Sequence, residues 1–418
     1  MNIINELKWR GAINQQTDSE GLEKLLNEKK ISLYCGIDPT GSSLHIGHLI
    51  PLIVMKRFSL AGYHPYILIG GATGSIGDPS GKKSERKLQS VEQVNENVNA
   101  LEKQIKKLFS NDKKITFLNN YDWLSKISLL DFLRKYGKLF NLNTMLSKDV
   151  VASRLKVGIS YTEFTYQMLQ SIDFLNLYNN FNIQLEIGGS DQWGNITSGI
   201  DLIHRVNGLD TKVYGLTIPL MLKSDGTKFG KTAGGAIWLD PNKTSPYEFY
   251  QFWLNQDDKD VIKYLKYFTF LSKNEIDNLE FKLKTEPEKR EAQRKLAEEV
   301  TRFVHGQKAV DEAIKISNIL FSGNIKKLSI DEIEQAFNHV PNSEINSNSL
   351  NIVDMLVMCN IEPSKRRARE DVINGAIKIN GSCITDINTM LDPKKSFGGK
   401  YMIVKKGKRK YFLLKIKN

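Results

Sequence analysis

Four stretches of the 418-residue chain combine residue types and spacings that can do chemistry. The first runs from Asp38 to His48 and holds Thr40, Gly41, His45 and Gly47 between an apolar run and a helical pattern. A helix N-terminus there offers unpaired backbone N–H groups and the positive end of a dipole, which suits phosphates. His45 and His48 are three apart, share a helical face and can donate to one anion, while Gly47 lets a base or sugar approach the backbone. In isolation such a pair more often caps or packs, and without a third ligand nearby it is no zinc site. The strand–loop–helix setting favours the chemical reading. The second stretch, Gly70 to Ser84, fails as a P-loop. Gly77 and Gly81 enclose three residues where four are required, and Lys83 stands in the Ser/Thr position. What remains is a Gly-rich turn with one carboxylate, Asp78, and the cations Lys82, Lys83 and Arg86 beyond it.

In the third stretch, Lys223 to Thr232, small residues surround Lys228 and Lys231. A loop with two ammonium groups can close over a polyphosphate and neutralise charge that develops during reaction; alone, such a stretch reads more readily as an exposed basic turn. The fourth begins at Tyr161. Tyr166, Gln170 and Asp173 fall four and then three apart on one helical face, where they line a pocket or satisfy each other. The run Gly188–Asn195 places Asp191 and Gln192 at the end of another strand.

The elements that must position these groups follow from pattern. Residues 31–37, 65–69, 115–118, 183–187 and 216–218 read as short strands between helical stretches. Val91, Val94, Val98, Leu101, Ile105 and Leu108 alternate at three and four, one face of an amphipathic helix. This alternation predicts an α/β fold, a parallel sheet covered by helices with active loops at the strands' C-terminal ends. The expected organisation is a catalytic domain over 1–222, a mobile connection over 223–245 and a small helical domain over 246–340. A polar, turn-rich linker over 341–350 and a small basic module over 351–418 complete it. Pro51 is tolerated only near a helix start, so the helix after the first stretch is expected to begin close to residue 48.

Composition sets the outer limits. The chain is 40% hydrophobic and 25% charged, too apolar for disorder. Its net charge is +12, and residues 351–418 hold fifteen Lys/Arg against six Asp/Glu, which points to a polyanion partner for the tail or to a solubilising face. Cys35, Cys359 and Cys383 lack metal or disulfide spacing, and no stretch has the ~20 apolar residues of a membrane span. With no signal-like N-terminus, a cytosolic protein free of membrane is expected.

Order and spacing together are more specific than any one stretch. The chain resembles the class I aminoacyl-tRNA synthetases, and within them the bacterial-type tyrosyl-tRNA synthetase family. His45-Ile46-Gly47-His48 matches the first class signature, and Lys228-Phe229-Gly230-Lys231-Thr232 matches a degenerate form of the second, Lys-Met-Ser-Lys-Ser. Tyr34, Thr73, Asp78, Tyr166, Gln170, Asp173 and Gln192 stand where the family holds tyrosine. The resemblance extends to a ribosomal-protein-like RNA-binding module, matched by Pro363 to Gly381 with Lys365, Arg366, Arg367 and Arg369.

That resemblance implies a Rossmann-like catalytic domain, a helical anticodon-binding domain and a small α+β RNA-binding domain. It implies adenylation of tyrosine by ATP, with Mg²⁺ accompanying the nucleotide, then transfer to the terminal adenosine of tRNA by a homodimer. Cys35, Gly36, Asp38, Gly47, Gly189 and Asp191 would border the adenosine, with His48 near the ribose. Thr40 and His45 would meet the γ-phosphate. Lys82, Arg86, Lys228, Lys231 and Thr232 would act in the transition state. The alternatives are a tryptophanyl enzyme of the same class and a non-catalytic RNA-binding protein on a synthetase fold.

Overall fold

The computed structural model describes residues 2–417 apart from 82–87, 110–111, 156–157, 223, 225, 227–228, 233–234, 338–339 and 408–409. Lys82, Arg86 and Lys228 of the sequence expectations thus lie outside the described residues. The chain forms two compact units, Met1–Asp240 with Gln256–Leu296, and Pro241–Asn255 with Ala297–Asn418.

The first unit is built on six strands, β1 (Gln15–Gln16), β2 (Ser32–Ile37), β3 (His64–Ile69), β4 (Thr116–Asn119), β5 (Ile183–Gly189) and β6 (Tyr214–Ile218). They lie in the order β1-β6-β5-β2-β3-β4, all parallel except the short β1, which runs antiparallel to β6. Strands with both faces covered read as near-continuous apolar runs, and β6 is buried at every position. The order reverses at β2, which has β5 on one side and β3 on the other, and this reversal opens a crevice beyond their C-terminal ends.

Local signals set the helices around the sheet. Ser90 caps the helix Val91–Leu108 by accepting from Gln93 N–H at 3.2 Å, and Val94, Val98, Leu101 and Ile105 bury one face, while Val91 stands in solvent. Ser160 caps the long helix Tyr161–Phe181, which Asn182 ends in the left-handed conformation at φ 51°. The helix after the first signature spans Ile46–Leu60 and begins two residues earlier than expected. His45 caps it, so Pro51 sits inside, where the missing N–H frees the Gly47 carbonyl from helical pairing.

In the second unit the helices Pro246–Leu254, Gln307–Ser322 and Ile330–Phe337 accompany a five-stranded sheet. That sheet takes β9 (Asn342–Asn346), β11 (Ile377–Ile379), β12 (Ser382–Cys383), β14 (Tyr401–Lys406) and β15 (Lys410–Lys417), and β10 (Leu350–Asn351) pairs separately with β13 (Met390–Leu391). The stretch 341–350 expected as a linker therefore contains a strand: β9 runs parallel to β15 at the sheet edge. Its polar side chains face water and only Ile345 is buried, so backbone pairing rather than apolar patterning makes it a strand. Ile352, Met355, Leu356, Ala368, Val372, Val404 and Leu414 form this module's core under the helices Ile352–Met358 and Lys365–Ile373.

Candidate active site

A cavity of about 260 Å³ lies at the C-terminal ends of β2 and β5, lined by both strands, the loops after β2 and β3, and the long helix. From β2 and its loop come Tyr34, Cys35, Gly36, Asp38 and Thr40; from the loop after β3, Thr73 and Asp78. The long helix adds Tyr166, Gln170 and Asp173, and the end of β5 adds Gly189, Asp191 and Gln192. His48 and Pro51 complete this side of the lining, next to the helix start.

Carboxylates fix the polar side chains. Asp38 accepts from Thr73 Oγ1 through one oxygen and from Tyr166 Oη through the other, each at 2.7 Å. Asp78 accepts from Gln192 Nε2 at 2.7 Å. Asp173 accepts from Trp123 Nε1 at 2.7 Å and Asn120 Nδ2 at 2.9 Å. Glu186 accepts from Gln170 Nε2 at 2.9 Å, and Gln170 accepts in turn from Asn195 Nδ2 at 2.9 Å. Where the acid is ionised it only accepts, so it draws the NH₂ side of the facing amide. Gly70 is required here, since a β-carbon would overlap the Asp38 carboxylate and the Thr73 hydroxyl.

Asp173 and Glu186 are almost wholly buried, at 2% and 3% exposure. Burial pushes Asp173 up to about 8 against the pull of Asn120 and Trp123, and pushes Glu186 up to about 7 against Gln170. Tyr34 is buried against Phe174, with its hydroxyl pKa well raised by burial and by Glu186. Although Glu186 acts on it, the Tyr34 hydroxyl makes no hydrogen bond of acceptable geometry, and neither does Glu186 Oε2. The Tyr34 hydroxyl and the Glu186 carboxyl thus face each other, buried, in the lining of the cavity, with Asp173 nearby.

Glu186, Asn120 and Trp123 were missed from sequence, and Asn195 was named only as the end of the run Gly188–Asn195. Glu186 carried a signal, a charged residue inside a strand that is otherwise buried; Asn120 and Trp123 follow β4 with no spacing to mark them.

At the helix start, His45 Nδ1 accepts from Gly47 N–H at 3.1 Å and His48 Nδ1 accepts from His45 N–H at 3.2 Å. Both rings therefore carry their proton on Nε2 and remain donors. Burial and His45 lower the His48 pKa to about 3, so it works as a neutral imidazole. His45 and Gly47 build the cap and do not line the cavity, and a β-carbon on Gly47 would crowd the His45 ring at 2.9 Å.

The two signatures meet directly. Ile46 N–H donates to the Ile237 carbonyl at 3.0 Å, and Ile237 N–H to the Gly230 carbonyl at 3.2 Å. Gly230, at φ +84°, passes so close that a β-carbon would lie 2.9 Å from Ile46. Lys231 and Thr232 form β7, paired with β8 (Gly235–Ala236).

With this geometry in view, comparison places the chain. Residues 26–322 match the family model "tRNA synthetases class I (W and Y)", and residues 332–414 match the tyrosine–tRNA ligase SYY-like C-terminal domain. The chain belongs to the class I tRNA synthetases of the tryptophan and tyrosine type. It is 68% identical over the full length of both chains to the tyrosine–tRNA ligase of Levilactobacillus brevis, and 67% identical to that of Latilactobacillus sakei over all of this chain and 99% of the relative. A crystal structure of a C-terminally truncated mitochondrial tyrosyl-tRNA synthetase from Aspergillus nidulans superimposes with a TM-score of 0.70 at 32% identity, covering 77% of this chain and 94% of that one. The expected fold class, a synthetase α/β domain followed by a C-terminal domain, agrees with these matches. In this synthetase, the described residues hold no cluster of three His, Cys, Asp or Glu able to bind a metal. No described helix is long and apolar enough to cross a membrane.

Proposed function

We infer that the chain is a tyrosine–tRNA ligase, which joins tyrosine to ATP as tyrosyl-adenylate with release of pyrophosphate and then esterifies tRNA. The observation that carries the choice of amino acid is the buried polar part of the cavity lining, the Tyr34 hydroxyl with the Glu186 and Asp173 carboxyls. A phenol fits these partners. Phenylalanine brings no hydroxyl to these buried groups and would forgo about 0.5–1.5 kcal/mol for each hydrogen bond that the phenol makes.

At the other end of the substrate an ammonium group needs acceptors, and Asp78, Gln170 Oε1 and Tyr166 Oη are assigned to it. Thr73 and Gln192 hold two of the participating acids, Asp38 and Asp78, in place. The substrate carboxylate is already a nucleophile, so adenylation needs position and stabilisation of phosphate charge rather than a general base. Cys35, Gly36, Asp38, Gly189 and Asp191 border the nucleoside; Thr40 and the Nε2–H donors of His45 and His48 meet its ribose and phosphates. Gly47 serves the same end by holding the His45 ring. Lys82, Arg86, Lys228, Lys231 and Thr232 supply the remaining donors. Mg²⁺ enters with ATP as part of the substrate.

Lys365, Arg366, Arg367 and Arg369, all exposed on one helix, are assigned to tRNA phosphates. Leu129, Leu130, Leu133, Leu142 and Leu146 are exposed within one short stretch, an apolar surface that a second copy of the chain would cover. Amino-acid-dependent ATP–pyrophosphate exchange without tRNA tests the reading. Exchange with tyrosine and not with phenylalanine or tryptophan is expected. Exchange with tryptophan would overturn the pocket assignment, and no exchange from folded protein would favour a non-catalytic RNA-binding role.

A further inference from the structure

The second signature is gripped from one side by a helix that contributes nothing to the cavity lining. This helix, Asp258–Phe268, follows a break in the first unit and presents three successive groups to the signature segment. Lys263 Nζ donates to the Leu222 carbonyl at 3.2 Å. Asp260 Oδ2 accepts from both the backbone N–H and the hydroxyl of Ser224, at 3.2 and 3.1 Å. Further on, the Phe229 ring packs on Tyr264 and Phe268, with centroids 4.8 and 5.2 Å apart.

The same helix is held at its other end by the frame of the first signature. Arg57, in the last turn of the His45-capped helix, donates to the carbonyls of Lys266 and Thr269. Arg10 donates to the Lys266, Thr269 and Leu271 carbonyls, and Glu6 accepts from both arginines at 2.9 Å. These bonds satisfy carbonyls that a helix end leaves without partners. One helix is thus fixed to the helix bearing the histidines and, through Asp260 and the Tyr264–Phe268 pair, to the segment bearing the lysines.

We propose that the helix Asp258–Phe268 is a brace that sets the second signature's position relative to the first, and that Asp260 and Phe229 are positioning residues for adenylation. The chemistry explains why position matters here. The signature lysines are required where phosphate charge develops, and a displacement of about 1 Å costs up to about a hundredfold in rate. Asp260 is 5% exposed despite lying in a first helical turn where a carboxylate could equally face water, because it turns toward Ser224. This helix contributes no residue to the cavity lining, so the affinity for tyrosine should be insensitive to the brace.

This inference rests on the adenylation reading above, and the test separates the two. Tyrosine-dependent pyrophosphate exchange is measured per active site, with sites counted by the burst of adenylate formation in one turnover. Wild-type exchange establishes the reading; its absence would remove reading and brace together. For Asp260→Ala the expected result is about a tenfold lower rate per site, with KM for tyrosine within about twofold of wild type. Asp260→Asn keeps an acceptor for Ser224 and should recover to within about threefold. Phe229→Leu keeps burial without ring packing and should fall between them. Ser224→Ala should lower the rate by about threefold in the parent but hardly at all on top of Asp260→Ala, since both remove one interaction. A residue that only supports folding would change the number of sites and leave the rate per site unmoved. An Asp260→Ala rate per site within twofold of wild type, or a proportional rise in the tyrosine KM, would overturn the brace.

Discussion

In the cavity Asp38, Asp78, Asp173 and Glu186 each accept from side chains on another element, and the last two are withdrawn from water altogether. On the helix Lys365–Ile373 the opposite arrangement holds. Arg366 and Arg367 stand in solvent and pair with Glu370 three or four residues on, at 3.2 and 3.4 Å, and Lys365 pairs with Asp354 at 2.6 Å. Stripping a buried carboxyl's neutral donors leaves it unsatisfied at about 1–3 kcal/mol each, whereas exposed ion pairs are worth about 0–1 kcal/mol. The cavity's groups are therefore committed to one ligand shape. The helix's cations can exchange a glutamate for a phosphate at little cost, and sequence expectation alone did not reveal that three of the four are already paired.

The sharpest way to break this contrast is Asp173→Asn. The substitution keeps the side chain's shape but must turn an NH₂ group toward a donor, Asn120 or Trp123. We expect kcat/KM for tyrosine in pyrophosphate exchange to fall about a hundredfold or more, with selectivity over phenylalanine falling comparably. An unchanged tyrosine-to-phenylalanine ratio would place the phenol elsewhere.

A smaller effect comes from pH. Burial holds Asp173 up at about 8 and Glu186 at about 7 in the free protein, above the ordinary carboxylate value of about 4. Raised folded values stabilise the fold most below about pH 4, and that contribution is lost as pH climbs through about 7 to 8. The melting temperature of the free chain should decline over that window. Tyrosine binding should move the other way, because its phenol donates to the ionised acid. Affinity is expected to rise with pH from 6 toward 8, by at most about tenfold per unit for one proton, and binding should release protons. Calorimetry in two buffers of different ionisation enthalpy reads both; pH-independent affinity across this range would show acids already ionised.

How far these groups were legible depends on whether their signal is periodic. Tyr166, Gln170 and Asp173 are visible from helical spacing, and the strands β2 to β6 from apolar runs bounded by turns. His45 and His48 are visible as a pair, yet their capping geometry is not: sequence places the helix start by Pro51, whereas the His45 ring moves it two residues earlier. Glu186 is marked only by its charge within an apolar strand, since alternation carries no meaning where both faces are buried. Asn120 and Trp123 acquire a role only through pairing of β4 with β3, a long-range event that no local pattern encodes. The strand Asn342–Asn346 is invisible for the same reason, its bonds being made to residues about seventy positions later.

The smallest expected effect lies at Arg366, whose side chain is 90% exposed and bonded only loosely to Glu370. If phosphates displace Glu370 from it, Arg366→Ala should make the dependence of log tRNA affinity on log salt shallower by about 0.7–0.9, the share of one phosphate contact. Affinity should drop severalfold at low salt and converge with wild type as salt rises. Tyrosine-dependent exchange should not change, because the reaction it reports needs no tRNA. A slope equal to wild type would mean that Arg366 remains with Glu370 in the complex. The tail's affinity would then rest on other exposed cations, such as Lys410 on β15, and the same salt titration of Lys410→Ala would find it.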